Sequence, residues 1–326
     1  MEEKQRGVLL MRTEQCEMVS VEQLVSEKHT YRKLKKLLDF DHIAKAVKVK
    51  TSALGANGFG KIRLILCLIL QFMEDLSDRE FERFISENIA GKWFCGFGIL
   101  EKTPDFTTIC KFRTLVGTKN MSRLFNEVKR QLKAQGHCSE VFTFIDATAL
   151  VSKLSIWEER DKAIKEGYEK LNNEVLPNIE TADPEAKIGS KSAKKFWYGF
   201  KKHVGVDMQS GMINRVAVTP ANVTDADGAK HVMPRSGAAC TDKGYVGAIL
   251  EMLRRGVHPM VIKRNNMKDK NVDLDRFLTK LRAPYEGTFS KQNKRVRYKG
   301  VVKNQGAEFM YAIAFNFRRL LALNPA

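Results

Sequence analysis

Three carboxylates stand where a folded chain could gather them. Asp146 lies in the apolar, β-branched stretch VFTFIDATAL (141–150), Asp242 opens DKGY directly after AACT, and Glu286 sits in RAPYEGTFSKQNK (282–294). Phosphoryl transfer by two metals needs such convergence. Two divalent ions about 3.5–4 Å apart share ligands while keeping positions for the phosphate and the attacking oxygen. Taken singly, each acid has another use: Asp146 could cap the next turn, Asp242 could form an Asx-turn ahead of Lys243-Gly244, and Glu286 could be a solvated helix residue. Asp207 and Asp225 are rival acids, Asp207 because it also falls near a strand end. The combination favours Asp146, Asp242 and Glu286 as a metal-binding catalytic set, because each terminates or abuts the element where a ligand is needed.

The elements that would position them follow from texture. Residues 141–150 read as a strand bringing Asp146 to its end, and a charged helical insert occupies about 155–188. Two strands, FWYGFKKHVGVD (196–207) and MINRVAVT (212–219), flank a Gln209-Ser210-Gly211 hairpin turn. A short helix (225–232), the strand ending before Asp242, a helix (246–255), a strand (258–263) and a helix from Asp273 complete the pattern. This β-β-β-α-β-α-β-α order is that of a ribonuclease H-like mixed sheet. Neighbouring strand ends lie about 4.8 Å apart, close enough for Asp146 and Asp242 to share an ion.

Before residue 139 the chain reads as helical. A loose arm covers 1–20 and a helical DNA-binding domain 21–138, ahead of the catalytic domain at 139–326. Apolar residues at three- and four-residue spacing give an amphipathic stretch from Val21 to Val49, broken near Asp39 to Asp41. GANGFG (55–60) lacks a preceding strand and the register of a phosphate cradle, so it reads as a loop between helices. Ser77 to Glu80 is a capping box, and Thr103-Pro104-Asp105 starts a helix leaving Thr107, Lys111 and Arg113 outside. Short helices joined by tight turns are compatible with helix-turn-helix reading of DNA.

The chain has 326 residues with 56 Lys plus Arg against 38 Asp plus Glu, a formal charge of +18. That excess points to a polyanion, most often nucleic acid. The six cysteines show no CxxC pair or zinc-ligand spacing and read as reduced core residues. No apolar run approaches the length of a membrane span, and MEEKQRG is unlike a signal peptide. The expected setting is therefore the cytoplasm.

Several motifs together resemble the DDE transposases of bacterial insertion sequences, in the group of insertion sequences four and five. They are LILQFMEDLSDREFERFI, TPDFTTICKFR, FIDAT, GFKKHVGVD, VTPANVTD, TDKGY and YEGTFSKQNKRVRYKGVVKNQ, spanning about Gly58 to Leu323. The resemblance implies Asp146, Asp242 and Glu286 as the triad, with Mg²⁺ as its cofactor in a two-metal site and Mn²⁺ able to substitute. It places Arg282 four residues before the glutamate, as in the family's Tyr-x2-Arg-x3-Glu-x6-Lys signature. Thr279 stands in the tyrosine position and Asn293 in the lysine position, between Lys291 and Lys294. The implied partner is double-stranded DNA, both element ends and target, with a homodimer pairing two ends at the nucleoid.

Basic residues near the acids are expected on the phosphate backbone. They are Lys201 and Lys202 on one strand, Arg282, Lys291, Lys294, Arg295, Arg297 and Lys299 around Glu286, and Lys111 and Arg113 in the helical region. If 295–299 is extended, its three cations share a face. Trp197, Tyr198 and His203 read as structural. The expected activity is DNA cleavage and strand transfer. The alternatives are a same-fold nuclease that does not join strands, or an inactive DNA-binding descendant acting as a regulator.

Overall fold

The computed structural model describes residues 19–49, 58–152, 183–192, 195–268, 270–290 and 295–325. Most of the N-terminal arm and of the charged insert, Cys16, much of the glycine-rich loop, Lys291 and Lys294 lie outside the described residues.

Strand β1 (Phe142–Val151) organises the sheet. It pairs antiparallel with β3 (Lys195–Asp207), from Thr143↔Asp207 to Val151↔Gly199, and parallel with β5 (Ala238–Thr241) through Phe142↔Ala238 to Phe144↔Cys240. The hairpin strand β4 (Ile213–Pro220) adds antiparallel to β3, and β6 (His258–Val261) adds parallel to β5. An antiparallel meander continued by parallel strands is the ribonuclease H-like arrangement. One strand is additional: β2 (Lys187–Ser192) pairs with the first residues of β3, so residues 187 and 188, read from sequence as the end of a helical insert, are extended instead.

The helical region holds α1 (Val21–Leu24), α2 (Thr30–Leu37), α3 (Phe40–Lys45), α4 (Lys61–Met73), α5 (Asp78–Glu87), α6 (Ile89–Cys95) and α7 (Phe106–Ala134). Local signals set its boundaries. Asp39 caps α3 at the expected break, and the Ser77–Glu80 capping box forms in both directions at α5. Asp105 accepts the Thr108 amide at the start of α7. Within α7, Gly117 takes a left-handed φ of 63°, which kinks the run. The apolar α4 is buried along nearly its whole length, and no helix among the described residues is long and apolar enough to cross a membrane.

Two layers cover the sheet. On one face, α8 (Asp225–Ala229), a 3₁₀ turn (Lys243–Ala248) and α9 (Ile249–Arg254) bury Ile145, Ala239 and Tyr245. On the other, Phe144, Val204, Val206, Ile213 and Val216 join one continuous core with the N-terminal helices and with α11 (Val301–Leu323). Helix α10 (Val272–Ser290) comes in beside β1 and β6.

Helix α11 is absent from the pattern read in the sequence, yet it joins the helices to the sheet. Side-chain amides on it pair with the free edge of β4. Asn316 accepts the Ile213 amide at 2.7 Å and donates to the Ile213 carbonyl at 2.9 Å; Gln305 accepts the Val218 amide at 2.7 Å and donates to the Val216 carbonyl at 3.2 Å. Those groups would otherwise be an unpaired strand edge. The first amides of the helix are held by carboxylates, Gly300 by Asp183 and Val301 by Glu185, each at 2.6 Å, where the helix dipole favours negative charge. Between these contacts Glu308 meets Lys202 of β3 at 3.0 Å, both buried.

Removing one member of that buried pair leaves an uncompensated charge, which typically costs about 3–5 kcal/mol, whereas an apolar pair of similar volume is often neutral. Lys202→Met should therefore lower the urea-unfolding free energy by that amount, and Lys202→Met with Glu308→Leu should recover most of it.

Candidate active site

The site is built from the ends of two parallel strands. β5 stops at Thr241, and Asp242 follows as the cap of the 3₁₀ turn, its Oδ1 accepting the Gly244 amide at 2.8 Å. The β1–β5 register ends at Phe144↔Cys240, so two further residues along each strand bring Asp146 level with Asp242. The sequence reading puts Asp146 at the end of its strand; in fact β1 runs on to Val151, and it is β5 that ends at this level. Asp146 is thereby uncovered along one edge while still held rigidly by β3 through Asp146↔Val204. Its Oδ1 accepts the Ala147 amide at 2.8 Å. Each aspartate thus has one oxygen fixed by a backbone amide and one without a hydrogen bond among the described residues.

Electrostatics mark the pair. Burial pushes the Asp146 pKa up to about 6, and the charges of Asp242 and then Asp225 add to the rise, against the opposing Ala147 amide and Arg282. Two half-enclosed carboxylates side by side suit a divalent cation, which would relieve the crowding of negative charge at Asp146. Among the described residues no three His, Cys, Asp or Glu side chains are grouped to hold a metal. Asp146 and Asp242 present two carboxylates at this edge. Glu286 lies on the α10 backbone one turn after Arg282, which covers the Phe144 ring at 5.2 Å, but its side chain lies outside the described residues.

The rival acids are otherwise occupied. Asp207 accepts the Gln209 and Ser210 amides at 3.1 Å and closes the β3–β4 turn, three residues along from Asp146's partner Val204. Asp225 meets Lys201 Nζ at 2.8 Å, which also donates to the Val223 carbonyl. Behind the pair, His203 packs flat against α8; a Cβ on Gly228 would fall 2.0 Å from its ring. Burial first, then Lys201, pushes the His203 pKa down to about 4, so it is neutral at pH 7 and structural, with Thr219 at 2.9 Å. The buried Tyr245 hydroxyl was not singled out from sequence; burial and the charges of Asp146, Asp225 and Asp242 raise its pKa.

The expected phosphate contacts divide sharply. Lys202 is enclosed against Glu308 and Lys201 is engaged by Asp225. Arg113 makes a two-point contact with Asp78 and stacks on Tyr298; Arg297 folds onto Phe72 and Tyr311 and donates to the Leu76 carbonyl at 2.7 Å. These four make intramolecular pairs within the fold. The segment 295–299 is not one extended face either: Arg295 alone bridges to Val151, and the chain bends from Arg297. Arg295, Lys299 and Lys111 are exposed, and Arg282 is buried. The reading missed Arg318 and Arg319, exposed on α11, whose guanidiniums donate to the Met73 and Ser210 carbonyls and meet no carboxylate among the described residues. The available signal was an arginine doublet in an otherwise apolar helical stretch.

Residues 19–115 match the family described as Transposase domain (DUF772), and residues 140–317 match Transposase DDE domain, more than half of the chain. The chain belongs to the DDE transposases. No solved structure matches it. Transposases of this family act on DNA and generally use divalent metals, and the strand ends carrying Asp146 and Asp242 fall inside the matched DDE region.

The Asp146 proton gives a test independent of catalysis. Because its folded-state pKa lies above the ordinary 3.8, the native state holds this proton more tightly than the unfolded chain. The stability so gained is complete below about pH 4 and lost as pH rises through 6. Asp146→Asn should therefore be more stable than the parent by about 2–3 kcal/mol at pH 8, with the gap closing toward pH 4. Millimolar Mg²⁺ should raise the parent's Tm and leave that of the variant nearly unchanged.

Proposed function

We propose that this transposase cleaves DNA at the ends of an insertion sequence and joins the freed 3′-hydroxyl to target DNA, with Asp146, Asp242 and Glu286 as its metal-binding triad. One observation carries the reading. Asp146 and Asp242 sit level at the edge where β5 ends, each with one oxygen tied to a backbone amide and one open, and the crowding of negative charge at Asp146 calls for a cation. Two Mg²⁺ bound there would polarise the scissile phosphate and stabilise the attacking and leaving oxygens.

The chain's own contribution is positioning. β1 and β3 fix Asp146 to the sheet, the 3₁₀ cap fixes Asp242, and α10 would bring Glu286 as the third ligand one turn past Arg282. Arg282, seated on Phe144, would orient the phosphate beside the acids, with Lys291, Lys294, Arg295 and Lys299 along the approaching backbone. In this reading residues 21–138 bind DNA and 139–326 perform the chemistry, and two copies pair two element ends. The motif set favours the group of insertion sequences four and five.

Asp146→Ala and Asp242→Ala should each reduce Mg²⁺-dependent cleavage of flanking DNA by at least about a thousandfold, while gel-shift affinity for the same DNA changes only a few-fold. Cleavage retained in either variant would sink the triad. A strand-transfer assay on the parent separates a transposase from a nuclease that only cuts.

A further inference from the structure

A cavity of about 770 Å³ opens on the sheet face that bears Asp146. Its floor includes Lys202 and Val204, and Val204 is the residue directly across from Asp146. Opposite residues of an antiparallel pair share a face with Cβ atoms about 4.5–5.5 Å apart, so the floor of the cavity lies one strand away from Asp146, which does not itself line it. Pro284 and Tyr285 of α10, immediately before Glu286, form one wall, and α11 forms the other. The volume is that of a small-molecule site rather than a bed for a duplex.

Its lining is divided by chemistry. Tyr285 is held in place, its ring against Phe144 and its hydroxyl donating to the Met208 carbonyl, and Tyr311 is covered by Arg297. Phe315 differs: it is half-buried, lines the cavity and has no ring or cation partner among the described residues. Arg319 lies one helical turn further along α11, on the same face, with its guanidinium at the cavity rim beside Gly211, and Arg318 joins it there. Neither has a carboxylate partner among the described residues, whereas the acids that line the cavity are neutralised, Glu308 by Lys202 and Asp75 by Arg297. The cavity therefore pairs a flat apolar surface with unneutralised positive charge about one turn away, and its floor presents a donor and an acceptor in the Lys202–Glu308 pair.

We infer that this cavity holds one unpaired nucleotide of the DNA strand, its base stacked on Phe315 and its phosphate on Arg318 and Arg319. A base supplies the flat apolar surface and edge polar groups, and its phosphate supplies the charge that the two arginines lack. The inference builds on the reading of Asp146 and Asp242 as the site where the strand is held.

The test uses the full-length chain carrying Asp146→Asn, without metal, so that cleavage plays no part. The probe is a short single-stranded oligodeoxynucleotide with one central 2-aminopurine. Binding should quench its fluorescence, whereas the same 2-aminopurine paired inside a blunt duplex should show no such quench on binding. Phe315→Ala should abolish the quench and weaken binding about tenfold. Arg319→Gln should keep the quench but lower the slope of log affinity against log salt by about one. An unchanged quench in Phe315→Ala, with an unchanged salt slope in Arg319→Gln, overturns the inference. So does a parent that shows no quench and forms a dimer lost in Phe315→Ala, which would make the cavity a contact between copies. Should Phe315→Ala fail to fold by circular dichroism, the exposed Arg319 decides alone. Cleavage persisting in Asp146→Ala would refute the triad while leaving these readouts untouched.

Discussion

The structure depends on the seating of α11. This helix is held by three different kinds of contact at once: amides that complete the edge of β4, carboxylates from the segment before β2 that cap its own first turn, and the buried Lys202–Glu308 pair in between. Each is polar and directional, and together they hold the apolar residues of α11 in one core with α4, α7 and the sheet. Hydrophobic burial would tolerate small slippage of a helix over such a face; polar contacts with fixed geometry do not. The β1–β3–β4 meander that carries Asp146 is thus stiffened from behind by a helix that contributes nothing to the acid pair itself.

The same economy governs charge. An excess of eighteen positive charges suggests a uniformly basic surface, yet many of the cations hold the fold together. Arg32 is buried between Glu22, Glu27 and Trp93, Arg113 grips Asp78, and Arg297 ties the C-terminal part to the end of α4. What is left for a polyanion is the subset with no acid beside it. On that view the acid pair and the guanidiniums of α11 are complementary: one site where negative charge is crowded, another where positive charge has no carboxylate beside it among the described residues, on the same side of one sheet.

Legibility in the sequence followed range. Caps, breaks and the change from helical to β texture are local, and Ser77, Asp39, Asp105 and the strand around Asp146 were readable from a few neighbours each. That the strands of Asp146 and Asp242 are neighbours followed because a ribonuclease H-like sheet leaves few places for those strands. Long-range pairing was not legible. Nothing near Arg297 announces Asp75, and nothing near Asn316 announces Ile213. The strand β2 was hidden for a related reason: LysIleGlySerLysSer has only one large apolar residue, and its extension depends on β3 lying alongside.

The amide contacts between α11 and β4 have a further mechanical meaning. Gln305 and Asn316 lie about three turns apart on the helix and grip Val216, Val218 and Ile213 on a strand that cannot itself slide against β3. Two separated clamps fix both the rotation and the axial position of α11, as two bolts fix a beam where one would leave a hinge. Any widening of the space between α11 and α10 must then come from α10, which meets β1 and β6 through few contacts. The wall able to yield would then be the helix that carries Arg282 and Glu286, so a change in the width of that space would also reset the reach of the glutamate.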